Sequence, residues 1–331
     1  MHAIRLHAFG PAENLRYEEV DAPEPAAGQV RIAVEAAGVH LIDTRLRAGV
    51  RMGPLPLPEL PAIPGREVAG RVEAVGDDVD GSWHGRRVVA HLGATGSGGY
   101  AERAVADAGA LHALADHVGA PAAVAMVGTG RTALGILEIA ALTEADTVLV
   151  PAAAGGVGAL LVQAARRAGA EVVALAGGAA KVEQARALGA TFAVDATSAD
   201  WPATVRELLD GAGVSVVLDG VGGATGRAAL DLLGPGGRMV VFGWSSGAPT
   251  ELTTMDVAGR GLTLDGALGP RMLDRPGGLR ALEAQALDAV TTGALMPLVG
   301  PPFALADAAA AHAALEARGT VGKVVLLPSP A

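Results

Sequence analysis

Six residues, Ala153-Ala154-Gly155-Gly156-Val157-Gly158, stand between an apolar β-branched run and a helical stretch, with the glycine spacing of a turn that grips a pyrophosphate. Gly155 lets the backbone come close to a phosphate, Gly158 lets the helix pack on the strand before it, and free N–H groups of the first turn face the anion. Alanine replaces the first glycine of the pattern G-x-G-x-x-G, but these mechanics survive. The expected phosphate-side contacts are Ala154, Gly155, Gly156, Val157 and Gly158.

Strands and helices must hold that turn. Residues 147–150 form a run too short for a helix and long enough for a buried parallel strand, ended by Pro151. Similar runs follow at 171–175, 191–194, 214–218, 238–242 and 262–264. Apolar residues at three- and four-residue spacing mark helices over 179–188, 202–209 and 224–233, and Gly189, Gly211 and Gly234 sit where C-terminal caps belong. Six strands with such crossovers predict an α/β fold: a Rossmann-type doubly wound parallel sheet of order 3-2-1-4-5-6, with its ligand at the carboxyl ends of the strands.

The kind of dinucleotide depends on the end of the second strand, where an NAD enzyme places Asp or Glu on the ribose. Residues 175–181 read LAGGAAK, without an acid. Gly177 and Lys181 therefore outline a neutral, roomy pocket with one cation, which suits a 2′-phosphate and hence NADPH. Lysine is scarce: Lys181 and Lys323 are the only two beside 23 arginines. The alternative is a solvated Lys181 paired with Glu183 or Glu171.

A chain of 331 residues that is 50% hydrophobic suits two domains, and with three Trp, two Tyr and four Phe its cores must be packed by Ala, Val and Leu. The absence of cysteine excludes disulfides and thiolate metal sites, and points to the cytoplasm. A net charge of −10 without a basic stripe argues against nucleic acid. No signal-peptide core or run of about eighteen apolar residues suggests export or a membrane span. Short alternating runs and Pro/Gly clusters before residue 125 read as a turn-rich β domain, to which helices over 279–290 and 305–317 and a strand over 321–327 return. The expected domains are 1–124 with 268–331, and an inserted cofactor domain, 125–267.

In combination, the chain's motifs resemble the medium-chain dehydrogenase/reductase superfamily, in its zinc-free quinone-oxidoreductase (zeta-crystallin-like) branch. They are AGVHLID (37–43), PGREVAGRVEAVG (64–76), GGYAE (98–102), GRTA (130–133), AAAGGVG (152–158), GVGG (220–223) and GTVGKVV (319–325). The resemblance implies a GroES-like β-rich catalytic domain built from both chain ends around the Rossmann domain, and a homodimer joined through the sheet edge near 262–264. Zinc-dependent relatives carry a cysteine where His40 stands and Gly-His-Glu where Gly65-Arg66-Glu67 stands, so no metal is expected.

Without a Lewis acid, hydride addition to an electron-poor double bond or quinone is easier than alcohol oxidation. The implied activity is an NADPH-dependent, zinc-independent reduction of a quinone or activated α,β-unsaturated carbonyl. Phe242, Gly243, Trp244, Ala267 and Leu268 match the superfamily's carboxamide-binding turns, Lys323 is counted among the cofactor-binding positions, and Thr132 matches a threonine beside the nicotinamide or substrate carbonyl. Related reductases use a tyrosine as proton donor or show one where this chain has Arg45; Tyr17 and Tyr100 read instead as packing residues.

His40, Asp43, Arg45 and Arg66 are expected near the acceptor, with Arg66 or His40 stabilising the developing oxyanion. The competing reading is an Arg66–Glu67 or Asp43–Arg45 ion pair that only shapes the loop. An enoyl-thioester or polyketide-type enone reductase, or a non-catalytic NADPH-binding protein, are the alternative functions.

Overall fold

Near-continuous runs of Val, Leu and Ala, with both faces needing cover, become six parallel strands in the order Phe192–Asp195, Glu171–Ala176, Thr147–Val150, Val214–Asp219, Leu233–Val241 and Thr263–Gly266. This is the expected 3-2-1-4-5-6 arrangement. The computed structural model describes residues 1–51, 55–93 and 98–328, which fall into two units: Met1–Thr129 with Ala286–Ala331, and Gly130–Gln285.

In the unit Gly130–Gln285, helices Gly156–Arg167, Ala179–Ala187, Trp201–Leu208 and Gly223–Asp231 connect successive strands. Leu149, Val173, Val217, Leu230 and Met239 share one core with Trp201 and Val205. Residues 268–285, expected in the other domain, belong here. Met272 packs so closely on helix Arg131–Ala140 that a Cβ on Gly135 would lie 2.3 Å from its Cε, while Arg131 pairs with Glu283 and Arg275 with Glu138.

The other unit is a seven-stranded sheet. Its path runs Phe303–Ala304, Val324–Leu327, Gln29–Val39, Glu67–Val75, Arg87–His91 and Leu111–Ala113, and Arg103–Asp107 also pairs with Gln29–Val39. The chain's two ends meet where Val324 pairs Val39 and Leu326 pairs Ala37. Ile32, Val68, Val72, Tyr100, Leu305 and Leu326 are buried in its core.

Among the described residues one helical run, Ala120–Ala140, is long and apolar enough to cross a membrane by length and composition, although Arg131 and Glu138 hide it from a search for uninterrupted apolar sequence. Most of it is buried inside the fold, as in a core helix.

Candidate active site

The glycine turn has the geometry its residue types require. Pro151 ends the first strand, Ala152 adopts φ +53°, and Gly155 is the N-cap of helix Gly156–Arg167. A non-glycine residue in the left-handed region costs on the order of 1 kcal/mol, a strain stored at the turn itself. A Cβ on Gly158 would lie 2.3 Å from the Ala152 carbonyl oxygen, so only glycine lets the helix sit this close. The Gly155 N–H bonds Ala152 and the Ala159 N–H bonds Gly155, with no side-chain cap at Gly155. That leaves the amides of Gly156, Val157 and Gly158 as first-turn donors, a ready anion cradle. Ala154 is buried beside them.

At the end of the second strand Gly177 is exposed, and Lys181 lies in the first turn of helix Ala179–Ala187. An acid is present after all, contributed by the neighbouring strand. Asp195 Oδ1 accepts hydrogen bonds from Gly178 N (2.9 Å), Thr197 N (2.9 Å) and Thr197 Oγ1 (2.7 Å). These bonds, the backbone ones foremost, hold its carboxyl below the ordinary aspartate range. The second strand's own sequence could not reveal it; the Asp-x-Thr turn at 195–197 was the available signal.

The turns expected for the carboxamide follow the fifth and sixth strands. Buried Asp219 ties the first together: Oδ1 accepts from Val221 N (2.8 Å) and Gly222 N (2.9 Å), Oδ2 accepts from Thr250 Oγ1 (2.7 Å), and its carbonyl receives the Phe242 N–H. Gly243 follows, and Trp244 is 48% exposed. The Ala267 N–H bonds the Val241 carbonyl, burying Ala267 and leaving Leu268 exposed. Phosphate turn, ribose-side loop and both carboxamide turns thus lie at the carboxyl ends of the parallel strands, as ligand sites in such sheets do. Thr132 is in the same unit, in the first turn of helix Arg131–Ala140.

The other candidates lie in the β-rich unit, where sheet register gathers them. Val39 pairs Val324 and Ala37 pairs Val68, which brings His40, Glu67 and Lys323 together from three parts of the chain. Lys323 Nζ donates to Glu67 Oε2 at 3.0 Å and lies 2.8 Å from His40 Nε2, and Glu67 Oε1 is 2.7 Å from the same nitrogen. Glu67 and Lys323 are buried, and the His40 side chain is 20% exposed. Burial opposes the Glu67 charge, yet His40 and Lys323 hold its carboxyl well below the ordinary glutamate range. Burial lowers His40, and the Lys323 charge adds to that against Glu67, so its imidazole is neutral at pH 7. Lys323 is therefore the buried partner of Glu67, a setting its assignment to the cofactor did not anticipate.

Neither expected ion pair, Arg66–Glu67 nor Asp43–Arg45, forms. Arg66 Nε instead donates to Asp43 Oδ1 at 3.2 Å. Asp43 Oδ2 accepts from His40 N (2.8 Å) and from the Tyr100 hydroxyl (3.2 Å), whose oxygen lies 3.1 Å from His312 Nε2. Burial first, then Asp43, pushes the Tyr100 phenol well above its usual range, which suits a packing residue. Tyr17 is 42% exposed on strand Leu15–Glu19 and stacks on His2. Arg45 is half-buried in helix Leu41–Arg47.

Residues 26–116 match the family described as alcohol dehydrogenase GroES-like domain, and residues 156–300 the family described as zinc-binding dehydrogenase. The chain is 34% identical over 328 residues to a quinone oxidoreductase of Pseudomonas aeruginosa, covering 98% of this chain and 99% of that one. It is also 34% identical over 335 residues to a 2-haloacrylate reductase of a Burkholderia species, with 98% of each covered. The solved structure of Escherichia coli quinone oxidoreductase complexed with NADPH superimposes with a TM-score of 0.87 at 29% identity, over 99% of this chain and 100% of that one.

Proposed function

The chain belongs to the medium-chain dehydrogenase/reductase superfamily, in its quinone-oxidoreductase branch, and from that premise we propose an NADPH-dependent, zinc-independent reductase that adds a hydride to a quinone or another activated α,β-unsaturated carbonyl. The observation that carries this reading is the first-turn cradle at Gly156, Val157 and Gly158, closed from below by the Ala152 carbonyl. NADPH, when bound, supplies the hydride.

The residues around His40 do not fit a zinc ion. An ammonium, Lys323 Nζ, already stands within 3.0 Å of both His40 Nε2 and Glu67 Oε2, and the neighbouring Arg66 brings a second cation. The chain has no cysteine, and among the described residues no three His, Asp or Glu side chains converge as ligands. No step is derived through zinc.

The chain's own residues have three tasks. Gly155, Gly156, Val157 and Gly158 bind the pyrophosphate, and Gly177 and Lys181 receive the adenosine 2′-phosphate. Phe242, Gly243, Trp244, Ala267 and Leu268 orient the nicotinamide amide, with Thr132 nearby. Arg66 and His40 then serve the oxyanion left on the acceptor after hydride addition. Arg66 spends only Nε on Asp43 among the described hydrogen bonds, which leaves its terminal nitrogens as donors, and His40 is a neutral imidazole. A quinone product needs no stronger acid, because water can protonate its stabilised oxyanion. The one-sided pairing of strand Thr263–Gly266 supports a homodimer through that edge.

The test mixes NADPH with a panel of quinones, enals, enoyl thioesters and 2-chloroacrylate and follows loss of the reduced nicotinamide. Oxidation with quinones or enals supports the reading. Tight NADPH binding without turnover on any of them would replace it with the non-catalytic one.

A further inference from the structure

Tyr100 holds Arg66 in two places. Its ring lies against Gly65, where a Cβ would fall 2.4 Å from Cδ1, and its N–H bonds the Pro64 carbonyl at 2.8 Å, so it fixes the backbone from which Arg66 extends. Its hydroxyl lies 3.2 Å from Asp43 Oδ2, and the other oxygen of that carboxylate accepts the Arg66 Nε–H at 3.2 Å. A phenylalanine would pack on Gly65 equally well. The fully buried hydroxyl is the part that packing does not explain.

The hydrogen bonds behind Arg66 run in one direction. Burial opposes the Asp43 charge, yet Arg66 and His40 hold its carboxyl below the ordinary aspartate range, so it is an acceptor only. The Tyr100 phenol, raised by burial and then by Asp43, keeps its hydrogen and donates it to Oδ2. Its oxygen must then accept from His312 Nε2, 3.1 Å away, which makes that nitrogen the protonated one and leaves Nδ1 a bare acceptor. Nδ1 is buried without a hydrogen-bond partner, as this order requires. His40 N donates to the same Oδ2 at 2.8 Å, so two donors from different elements fix the plane of the carboxylate that meets Arg66.

We propose that Tyr100 and Asp43 are positioning residues for Arg66: the hydroxyl of the first, through the carboxylate of the second, aims the guanidinium so that its terminal nitrogens are set for the oxyanion before it forms. The proposal rests on the reductase reading above. A long arginine side chain left to itself samples many rotamers, whereas a root held by the Tyr100 ring and an Nε held by Asp43 leave the planar fork one orientation. Donors set in advance need no reorganisation at the moment of reaction. Tyr100 is fully buried, so it acts only through Asp43.

A double-mutant cycle on NADPH oxidation, with 1,4-naphthoquinone and crotonaldehyde as acceptors, tests it. Tyr100→Phe keeps the ring and loses the hydroxyl, and is expected to lower kcat about tenfold with the KM for NADPH unchanged. Arg66→Ala lowers kcat by about a hundredfold. Adding Tyr100→Phe to Arg66→Ala costs less than about twofold more, because the guanidinium it would aim is gone. Added methylguanidinium restores part of the turnover of Arg66→Ala, and restores several-fold less once Tyr100→Phe is also present. Should Tyr100→Phe not fold, Asp43→Asn takes its place in the same cycle, with the same pattern expected. Full turnover in Tyr100→Phe, a loss confined to the KM for NADPH, or equal losses from it with and without Arg66 would each overturn the proposal and leave the reductase standing. Full turnover in Arg66→Ala would end both the oxyanion role of Arg66 and its positioning, again with the reductase intact. No oxidation of NADPH by the unaltered protein sinks the reductase reading itself.

Discussion

Lys323 Nζ meets Glu67 Oε2 at 3.0 Å, with both side chains withdrawn from solvent. Removing one partner of such a pair strands the other charge in the interior, at a cost of about 3–5 kcal/mol. Lys323→Met should lose that much in urea unfolding at pH 7, and Lys323→Met with Glu67→Gln should recover a large part. The sign with pH follows from Glu67, whose folded pKa is depressed. Its contribution is present above the unfolded value of about 4.3 and is lost as pH falls through the folded value. The penalty of Lys323→Met therefore shrinks below pH 4. An unchanged urea midpoint for this variant would show that the pair does not stabilise the fold.

Gly128 touches the same carboxylate. A Cβ there would fall 1.5 Å from Glu67 Oε1, in the helical run Met126–Gly130. Glycine to alanine inside a helix ordinarily gains about 0.5–1 kcal/mol. Here the sign reverses, because the carboxylate would have to leave Lys323, and Gly128→Ala should lose about 2 kcal/mol or more. Gly259→Ala is the control, since nothing lies within 4 Å of its Cβ position in helix Thr254–Arg260. Thermal unfolding of the two variants should move in opposite directions, and a shared direction would contradict the close packing at Glu67.

His312 gives the fold an acid-sensitive slope. It is fully buried, and burial first, with Arg47 adding to it against Asp43, lowers its pKa to about 4. A depressed folded pKa means stability is complete above the unfolded value of about 6.5 and is lost as pH falls toward 4, by on the order of 3 kcal/mol. His312→Leu should flatten this part of the stability profile. Profiles that stay parallel between pH 6.5 and 4 would show that the histidine is not held neutral.

Sequence reached the parts of this molecule that are written locally. Parallel strands appear as unbroken apolar runs and a phosphate turn as adjacent glycines, so sheet order and cradle were readable. The charge pairs were not. Residues 43 and 45 of one helix do not face each other, and residues 66 and 67, at the start of a strand, point to opposite sides, so the neighbours in sequence could not pair. Their true partners arrive through register and through tertiary contact: Lys323 reaches Glu67 across Val39↔Val324, and Arg66 reaches Asp43. Asp195 escaped for the same reason, since it enters the ribose-side loop from the adjacent strand.

Cofactor choice should follow the opposition between Lys181 and Asp195. A 2′-phosphate at the loop after Ala176 gains from a cation at Lys181 and loses from a carboxylate held at Gly178 N. Lys181→Ala is expected to weaken NADPH by roughly tenfold and NADH by less than about twofold, because only the first carries the extra charge. Asp195→Asn keeps an oxygen for the Gly178 and Thr197 amides while removing the negative charge, so it should tighten NADPH by a few-fold relative to NADH. Fluorescence titration of the bound reduced nicotinamide measures all six constants, two for each variant and two for the unaltered protein. Equal affinity of the unaltered protein for the two cofactors would end the 2′-phosphate assignment. Unchanged affinity for both cofactors in Lys181→Ala would recast that lysine as part of the helix surface.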